Sequence, residues 1–259
     1  MYSICLFNRK GGVGKTTITV NLAACLSMYY NKRCLVVDCD PQGNTTSFLD
    51  VSGENAEKPG LTDYYNNGAS FDEIVQHYHF EKLGRGMKKK YVDVDLIPGG
   101  LSMDEANIVR ENQLKELIAG QEYDYVFFDC PPSMTDTSIS ALFASDYVLV
   151  PAYADSDSLG GFQAMVDAVN EIKTRGHDIE ILGIILNAVA MNEALDKYLV
   201  SELREGFPEG MLFETTLRRS TVAKQCRYFG EPICIRDEYS SLGKDYKRLT
   251  DELVGKVER

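Results

Sequence analysis

Residues 8–17, NRKGGVGKTT, place two lysines five positions apart around a run of glycines and end in two threonines. Glycine at positions 11, 12 and 14 lets the backbone curl so that successive N–H groups point inward, next to the start of a helix at Lys15. Such a cradle binds anions, and phosphate is the anion that suits it best. The segment therefore predicts a phosphate-binding loop, with a simple tight turn before a helix as the alternative.

The side chains that follow the glycines fit the phosphates of a nucleotide. We predict that Lys15 reaches the β and γ phosphates, that the Thr16 hydroxyl is a ligand of Mg²⁺, and that Thr17 bonds an α-phosphate oxygen. The segment departs from the pattern GxxxxGK[ST], because Arg9 stands where the first glycine is required. Two further segments are needed to decide between a nucleotide site and a turn.

The first of these segments, VVDCDPQGN, carries two carboxylates at the end of an apolar strand. Asp38 and Asp40 are two positions apart, and residues at that spacing lie on the same side of a strand. Both could therefore face the phosphate loop from a neighbouring strand. An Asp-Pro-x-Gly turn with incidental acidic residues is the alternative.

The second segment, YVFFDCPPS, has four apolar residues, then Asp129, then two prolines that end the strand. An aspartate in that place suits the binding of Mg²⁺ through water, because Mg²⁺ keeps most of its hydration shell and accepts few carboxylates. The chance occurrence of all three segments in one chain is improbable, so we interpret them together as a nucleotide site.

The elements that position these segments alternate between strands and helices. Strands are predicted at Tyr2–Asn8, Arg33–Asp38, Val92–Pro98, Tyr125–Asp129, Tyr147–Pro151, Ile181–Asn187, Leu212–Thr215 and Pro232–Ile235. Helices are predicted at Lys15–Tyr30, Ser70–His77, Met103–Ala119, Ser138–Ala144, Leu159–Arg175, Ala194–Glu205, Ser220–Tyr228 and Ser240–Lys256. This order predicts an α/β fold, a single domain over residues 1–259 with a mostly parallel sheet covered by helices on both faces. Such sheets bind ligands at the carboxyl ends of their strands, where all three segments fall.

Composition excludes several classes of protein. The net charge of -12 argues against wholesale coating of nucleic acid or anionic membrane, so any contact with a polyanion must be local. Seven cysteines without a CxxC pair argue against a disulfide framework or a structural zinc site and indicate the cytosol. We expect no signal peptide and no membrane segment, since no apolar run approaches the roughly 18 to 20 residues that a span requires.

KGGVGKTT, DCDPQGN and FFDCPPS together closely resemble the motifs of the ParA/MinD family of deviant Walker-A P-loop ATPases, and within it the ParA/Soj-like partitioning branch. The resemblance covers essentially the whole chain, including FGEPI at Phe229–Ile233. It implies ATP/ADP and Mg²⁺ as cofactors, held by a loop that comprises Gly11, Gly12, Val13, Gly14, Lys15, Thr16 and Thr17. It also implies that Lys10 is the signature lysine, which in relatives crosses to the partner subunit's nucleotide in an ATP-sandwich dimer.

The same resemblance implies roles for other side chains. Asp40 would orient or activate the attacking water, Asp38 would support the Mg²⁺ shell, and Asp129 would be the Walker-B acid. Asn187 resembles an adenine-reading side chain, helped by the backbone after Pro232, although an asparagine after a strand is commonly only a cap or turn. Beyond Lys10, no basic side chain is evidently placed as a free-standing arginine finger, so we expect slow intrinsic turnover.

The segment from Thr215 to Arg248 is locally basic, with eight basic and four acidic residues and a net charge of +4. This contrast with the acidic remainder fits a phosphate-binding surface for non-specific DNA, and solvated helix faces are the alternative. Relatives carry Pro-Arg and a second Arg three residues on, where this chain has Arg218, Arg219 and then Val222. The predicted DNA-binding residues are Arg218, Arg219, Lys224 and Arg227.

Together these features predict a cytoplasmic, nucleoid-associated ATPase that forms a homodimer on ATP binding, binds non-specific DNA, and partitions a plasmid, chromosome or integrated element with a ParB-like adaptor. One alternative is a MinD-like membrane-cycling or protein-cargo-positioning ATPase, which would need a C-terminal amphipathic anchor, and we expect DYKRLTDELVGKVER to lack bulky aromatic residues on its apolar face. An iron–sulfur reductase and a scaffold that holds nucleotide without hydrolysing it are further alternatives. Cys39 and Cys130, which flank the predicted site, are interpreted as packing residues.

Overall fold

The computed structural model describes residues 1–55, 57–84, 89–100, 106, 108, 110–155 and 158–258. One seven-stranded sheet forms the centre of the molecule. Its strands, numbered along the chain, are β1 Tyr2–Leu6, β2 Cys34–Asp38, β3 Gln76–Leu83, β4 Lys89–Ile97, β5 Tyr125–Asp129, β6 Tyr147–Tyr153 and β7 Glu180–Asn187. The strand order is β3-β4-β2-β5-β1-β6-β7. All neighbouring pairs are parallel except β3 with β4, so the predicted mostly parallel sheet is confirmed.

Helices cover both faces of this sheet. They are α1 Lys15–Tyr30, α2 Asn44–Leu49, α3 Leu61–Asn67, α4 Phe71–Ile74, α5 Gln113–Ile118, α6 Asp136–Phe143, α7 Ser158–Thr174, α8 Ala194–Gly206, α9 Thr221–Phe229, α10 Ile233–Asp237 and α11 Ser241–Val257. Alternate strand residues enter two separate cores: Ile4 packs with the apolar residues of α1 and α11, whereas Cys5 packs with those of α6 and α7. The predicted α/β class with helices on both faces is confirmed.

The central strands are apolar throughout because both of their faces are buried. Every residue of β2 and of β5 is buried, including the aspartates that end them. Continuous apolar runs of this kind are typical of parallel strands between two helical layers. The same burial explains why a charged residue in such a strand must lie at its end, where the loops open to solvent.

The segment 70–77, which the sequence predicts as one helix, is a short helix followed by a strand. α4 ends at Ile74, and β3 begins at Gln76 with residues that alternate along its length in exposure. This period of two fits a strand, and β3 pairs antiparallel with β4, for example Phe80 with Val92. The helix prediction is wrong there because so short a polar stretch does not distinguish the two periods.

Two predicted strands near the C-terminus are also wrong. Pro232–Ile235 leads into helix α10, with Pro232 at its N-cap, and Ile233 N donates to Asn21 Oδ1 of α1 at 2.6 Å. Ile233 and Ile235 pack in the core that contains α1, and Lys82 of β3 donates to the Cys234 carbonyl of α10 at 3.3 Å. Leu212–Thr215 is reduced to an isolated bridge between Leu212 and Ile184, next to β7. Of the predicted helix Met103–Ala119, residues 103–105, 107 and 109 lie outside the described residues, and α5 covers only the C-terminal part.

The strand order brings the ends of β1, β2 and β5 together. Asp129 at the end of β5 lies in register with Leu6 of β1 on one side and with Asp38 of β2 on the other. The loops that leave these three strands therefore start side by side at one edge of the sheet, as expected for ligand sites in parallel sheets. Within the described part of the chain, no helix combines the length and the apolar character that spanning a membrane would require.

Candidate nucleotide site

The loop between β1 and α1 is a glycine turn that opens onto the first turn of a helix. Gly12 has φ of 75° and Gly14 has φ of 97°, values in the left-handed region that favours glycine. α1 starts immediately after Gly14, and Ile18 N donates to Gly14 O at 2.9 Å. A Cβ added at Gly14 would lie 2.2 Å from Nδ2 of Asn187, so the loop also packs tightly against the end of β7. The predicted cradle for an anion is therefore present at a helix N-terminus.

Lys15 lies within this cradle and is 7% exposed. Its Nζ donates to Asn8 O at 3.0 Å and to Lys10 O at 3.4 Å, so the side chain folds back along the loop that precedes it. Burial lowers the pKa of Lys15, because a charged amine is poorly solvated there. A phosphate placed in the loop would supply the negative charge that such a buried ammonium group requires.

Thr16 and Asp129 meet at the floor of the site. The Thr16 hydroxyl donates to Asp129 Oδ2 at 2.6 Å, and the Thr45 hydroxyl donates to the same oxygen at 2.7 Å. The other oxygen, Asp129 Oδ1, is buried and has no hydrogen-bond partner among the described residues. Burial, followed by the charge of Asp38, raises the pKa of Asp129 to about 8. An orphaned carboxylate oxygen beside a threonine hydroxyl is a donor set that a divalent cation would complete.

Asp38 and Asp40 have different surroundings, although they are only two residues apart. Asp38 Oδ2 accepts hydrogen bonds from Thr46 N at 2.8 Å and from the Thr46 hydroxyl at 2.7 Å. Burial raises the pKa of Asp38 to about 6. Asp40 Oδ1 accepts from Gln42 N at 2.9 Å, and the residue lines the cavity above the glycine loop. Asp38 is thus turned toward the start of α2, whereas Asp40 faces the space that a nucleotide would fill.

A cavity of about 290 Å³ lies over the glycine loop. Its described lining residues are Gly11, Gly12, Gly14, Lys15, Thr16, Thr17, Asp40, Gln42, Asn44, Pro132 and Arg227. Most of the predicted loop residues are therefore brought together around one space. Val13 is buried beneath the loop, and its carbonyl accepts a hydrogen bond from Asn187 Nδ2 at 2.8 Å.

The residues predicted to read adenine have other partners in this structure. Asn187 donates to the carbonyl of Val13, and its Oδ1 accepts from Ala188 N at 2.8 Å. The amide after Pro232, that of Ile233, donates to Asn21. Neither Asn187 nor Pro232 is among the described residues that line the phosphate cavity. Adenine recognition by these two residues stays a prediction.

Lys10 and the loop backbone are both tied to the end of β6. Lys10 Nζ lies 2.6 Å from Asp155 Oδ2, and the Tyr153 hydroxyl donates to Gly12 O. Lys10 N also donates to Asn8 Oδ1 at 2.9 Å, and Asn8 Nδ2 donates to Pro151 O at 2.8 Å. The loop is therefore braced from the β6 side by several polar contacts, and Lys10 is paired within its own chain.

The four residues predicted to bind DNA have different surroundings. Arg218 is paired with the buried Asp245, with Nε 2.6 Å from Oδ2. Arg219 lines a second cavity, of about 440 Å³, together with Asp155 and other residues at the ends of β6 and β7. Lys224 is exposed on α9, and Arg227 lines the phosphate cavity. Lys224 and Arg227 also line one shallow surface cavity together with Thr17. Arg218 is held by an internal acid, and DNA binding by these four residues stays a prediction.

Several residues at the site have no counterpart among the predictions. Thr45 and Thr46 hold the two buried aspartates, and Asn8 supports Lys10 and Lys15. Hydroxyl residues in the first turn of a helix that follows DCDPQGN were a signal available in the sequence. The position of Arg227 had no such signal, because α9 is far from the loop along the chain.

The donor set fits Mg²⁺ and a polyphosphate. Within the described ranges, no cluster of three or more His, Cys, Asp or Glu side chains could hold a metal ion without further ligands. Asp129 Oδ1 and the Thr16 hydroxyl suit Mg²⁺, which keeps several waters and is held by one or two carboxylates together with substrate phosphates. The glycine cradle, the buried lysine and the orphaned oxygen of Asp129 therefore define the site of a P-loop NTPase of the deviant Walker-A type.

Comparison with known proteins supports the assignment to the P-loop NTPases. The family model described as an AAA domain matches residues 1–181. The chain is 32% identical to the sporulation initiation inhibitor protein Soj of Bacillus subtilis, over 97% of each chain. It is 31% identical to the chromosome partitioning protein ParA of Myxococcus xanthus, over 97% of this chain and 87% of that protein. The chain belongs to the ParA/MinD family, in its Soj-like branch, and is a ParA-type ATPase.

Solved structures show the same fold at lower identity. McdA of Cyanothece, solved as a complex with ATP, has a TM-score of 0.78 at 22% identity and is aligned over 98% of this chain and 96% of its own. Cobyrinic acid a,c-diamide synthase of Mycobacterium smegmatis, solved with an ATP analogue and magnesium, has a TM-score of 0.80 at 20% identity over 100% of this chain and 97% of its own. These likenesses support the fold assignment alone.

Proposed function

We propose that this ParA-type ATPase, with its catalytic domain over residues 1–259, forms a homodimer around two ATP molecules, binds DNA without sequence preference as the dimer, and is reset by slow hydrolysis. The proposal includes a ParB-like adaptor that accelerates hydrolysis. The observation that carries the enzymatic part is the convergence of Thr16 on Asp129, which leaves one buried carboxylate oxygen without a partner beside the glycine loop.

In this proposal the residues of the glycine loop bind the nucleotide. The N–H groups of the loop and the first turn of α1 surround the phosphates, and the Lys15 ammonium group binds the β and γ phosphates. Thr16 and Asp129, with Asp38 behind them, would hold Mg²⁺, which when bound neutralises phosphate charge and polarises the transferred phosphoryl group. The hydrogen bonds from Thr45 and Thr46 keep these two carboxylates in fixed orientations.

Hydrolysis requires a water molecule in line with the γ phosphate and a positive charge against the leaving group. We assign the orientation of that water to Asp40, because its carboxylate lines the cavity and is fixed by the amide of Gln42. We assign the additional charge to Lys10 of the partner subunit. In the isolated chain Lys10 is held by Asp155, so dimerisation would exchange this contact for a phosphate.

For DNA, the exposed residues Arg219 and Lys224 are the better candidates. Both are exposed, whereas Arg218 is neutralised by Asp245. Two copies brought together by ATP would present twice the number of cations to the duplex. Because phosphate contacts release counterions, binding by the dimer would then be much tighter than binding by the monomer and would weaken steeply with salt.

Phosphate release is the test of the enzymatic proposal. The wild-type protein should release phosphate from ATP in the presence of Mg²⁺, and release should stop when Mg²⁺ is chelated. Asp40→Ala should lower the rate by about 10²-fold or more, if positioning of the attacking water contributes what such a group usually does. Asp178→Ala is the matched control, because this aspartate is almost fully exposed and remote from the loop. Equal, near-zero rates of phosphate release in the wild type and Asp40→Ala would disprove the proposed ATPase activity.

Sedimentation tests the dimer. With a non-hydrolysable ATP analogue and Mg²⁺, the wild type should sediment as a dimer, and without nucleotide as a monomer. Lys10→Ala should weaken this dimer or leave it unable to hydrolyse ATP. A Lys10→Ala protein with wild-type dimerisation and wild-type hydrolysis would remove the lysine from the proposed mechanism.

Retention on arbitrary duplex DNA tests the nucleic-acid surface. Arg219→Glu should abolish ATP-dependent retention at low salt while ATP binding is unchanged, because it replaces a phosphate contact with a repulsive charge in each subunit. Arg33→Glu serves as the control. Arg33 is largely exposed and precedes β2, so it lies at the amino ends of the strands, whereas the nucleotide site lies at their carboxyl ends. Unaltered retention by Arg219→Glu would refute this surface.

A further inference from the structure

We propose that Arg227 binds the phosphate chain of the nucleotide in its own subunit, from the wall of the cavity that α9 forms. This inference rests on the proposed ATPase function and adds a second cation to Lys15. These two are the basic side chains among the described residues that line the phosphate cavity. From the sequence alone, Arg227 is predicted to bind DNA, and its place in the wall of the phosphate cavity indicates a different ligand.

The packing of α9 fixes where Arg227 lies. Cys226, its neighbour, is fully buried in the core beneath α1 and α11. α9 ends at Phe229, and its C-cap is Gly230, whose φ of 66° lies in the left-handed region. A Cβ added there would lie 2.7 Å from Cγ2 of Val51 and 3.1 Å from the carbonyl oxygen of Phe48. The end of α9 is therefore in direct contact with the end of α2, and Arg227 is carried on a helix with a fixed position over the site.

The present partner of Arg227 leaves most of the guanidinium group available. An N–H of the group donates to Asn44 Oδ1 at 2.6 Å, and Asn44 is a neutral acceptor at the first position of α2. A guanidinium group has five N–H donors. Within the described residues Arg227 makes no ion pair, unlike Arg218 with Asp245 or Arg236 with Glu231. A cation in a polar cavity without an acidic partner is suited to an anionic ligand, and a planar guanidinium matches phosphate oxygens in pairs.

The contact with Asn44 links Arg227 to the two buried aspartates, Asp38 and Asp129, through helix α2. Asn44 is followed by Thr45 and Thr46, and these hydroxyls hold Asp129 and Asp38. When Arg227 is fixed by a phosphate, the first turn of α2 is fixed with it. The phosphate chain, Arg227 and the aspartate pair are thereby connected through consecutive residues of one helix.

The test compares Arg227→Ala and Arg227→Lys with the wild type. Equilibrium binding of fluorescent ATP and ADP is measured, together with steady-state phosphate release. Arg227→Ala should weaken binding of both nucleotides by at least about tenfold, the loss expected for one charge-assisted pair, and Arg227→Lys should recover part of it. Gln225→Ala is the matched control: this residue is exposed on the same helix, two positions from Arg227 and therefore on another face, and the variant should bind within about twofold of the wild type. Unfolding without nucleotide should be the same for all variants.

The outcomes separate this inference from the function on which it rests. If Arg227→Ala binds ATP and ADP with wild-type affinity, the inference is overturned. If the same variant also loses retention on DNA, Arg227 is a DNA-binding residue, as the sequence predicts. A loss of phosphate release with unchanged affinities would also overturn the inference, because the arginine would then act on a partner's nucleotide. If the wild type binds nucleotide and releases no phosphate, the ATPase proposal fails, while weakened binding by Arg227→Ala still supports the inference. A wild type that binds neither nucleotide would overturn both.

Discussion

Lys10 Nζ lies 2.6 Å from Asp155 Oδ2 in the same chain, so the signature lysine of the family is held by an acid of its own subunit. Asp155 follows β6, and Tyr153 of that strand donates to Gly12 of the glycine loop. The end of β6 therefore contacts both the lysine and the loop. In the proposed dimer Lys10 must leave Asp155 before it can reach another phosphate, so this ion pair opposes dimerisation.

Asp155→Asn should therefore lower the concentration of ATP analogue that is needed for dimerisation. The side chains of Lys10 and Asp155 are 40% and 32% exposed, and partly exposed pairs contribute about 0.2 to 1 kcal/mol. We expect a shift of the midpoint by up to about fivefold, measured by sedimentation across a series of analogue concentrations. Asp178→Asn removes a remote exposed charge and should leave the midpoint in place. Loss of the dimer in Asp155→Asn would show instead that this acid is required in the assembled state.

Gly14→Ala should destabilise the protein even without nucleotide. Its φ of 97° is strained for alanine, and the new Cβ would lie 2.2 Å from Asn187 Nδ2, which must move and give up its bond to Val13. We expect a loss of about 1 to 3 kcal/mol in the free energy of unfolding, measured with urea. Gly11→Ala is the control, because a Cβ there meets nothing within 4 Å. Equal unfolding midpoints for the two variants would contradict the close packing of the loop on β7.

The location of the site could be predicted from the sequence because a parallel sheet gathers the carboxyl ends of its strands. Lys15, Asp38 and Asp129 follow different strands, and the strand order places them at one edge. The apolar runs before Asp38 and Asp129 are typical of parallel strands that are buried on both faces. The edge strand β3 has no such run, and for this reason it was not predicted.

The partners of individual side chains could not be predicted in the same way. Spacing places Asp38 and Asp40 on one side of a strand, yet Asp38 bonds to Thr46 of α2 while Asp40 faces the cavity. Which acid turns which way depends on where α2 begins, and that is set by the turn at Gly43. Arg227 reaches the cavity only because α9 packs on α2 through Gly230. Such contacts arise from tertiary packing, and local sequence patterns do not predict them.

Arg218→Ala should behave as a stability variant and leave DNA binding unchanged. Its guanidinium donates twice to Asp245, at 2.6 and 2.9 Å, and Asp245 is fully buried. Removal of this partner leaves a buried carboxylate with fewer donors, so we expect a loss of about 1.5 to 3 kcal/mol in urea unfolding. Arg219→Ala, which removes an exposed neighbour, should stay within about 0.5 kcal/mol of the wild type. If Arg218→Ala unfolds like the wild type and loses DNA retention, the internal pairing is not its main role.

The cysteines should be unreactive while the protein is folded. All seven are free and buried, and Cys5 Sγ lies 3.3 Å from Cys130 Sγ behind the glycine loop. Buried thiols are poor nucleophiles because reagents cannot reach them. Burial raises the pKa of Cys226 to about 12. The pKa of Cys130 is lowered to about 5, because hydrogen bonds with Cys39 and Cys5 and the charge of Lys15 outweigh its burial, so inaccessibility alone protects that thiol. A coloured disulfide reagent should therefore titrate fewer than about one thiol per chain in the native protein and all seven in urea. Rapid reaction of several thiols in native protein, at a rate independent of urea, would show that the two cores are open to solvent.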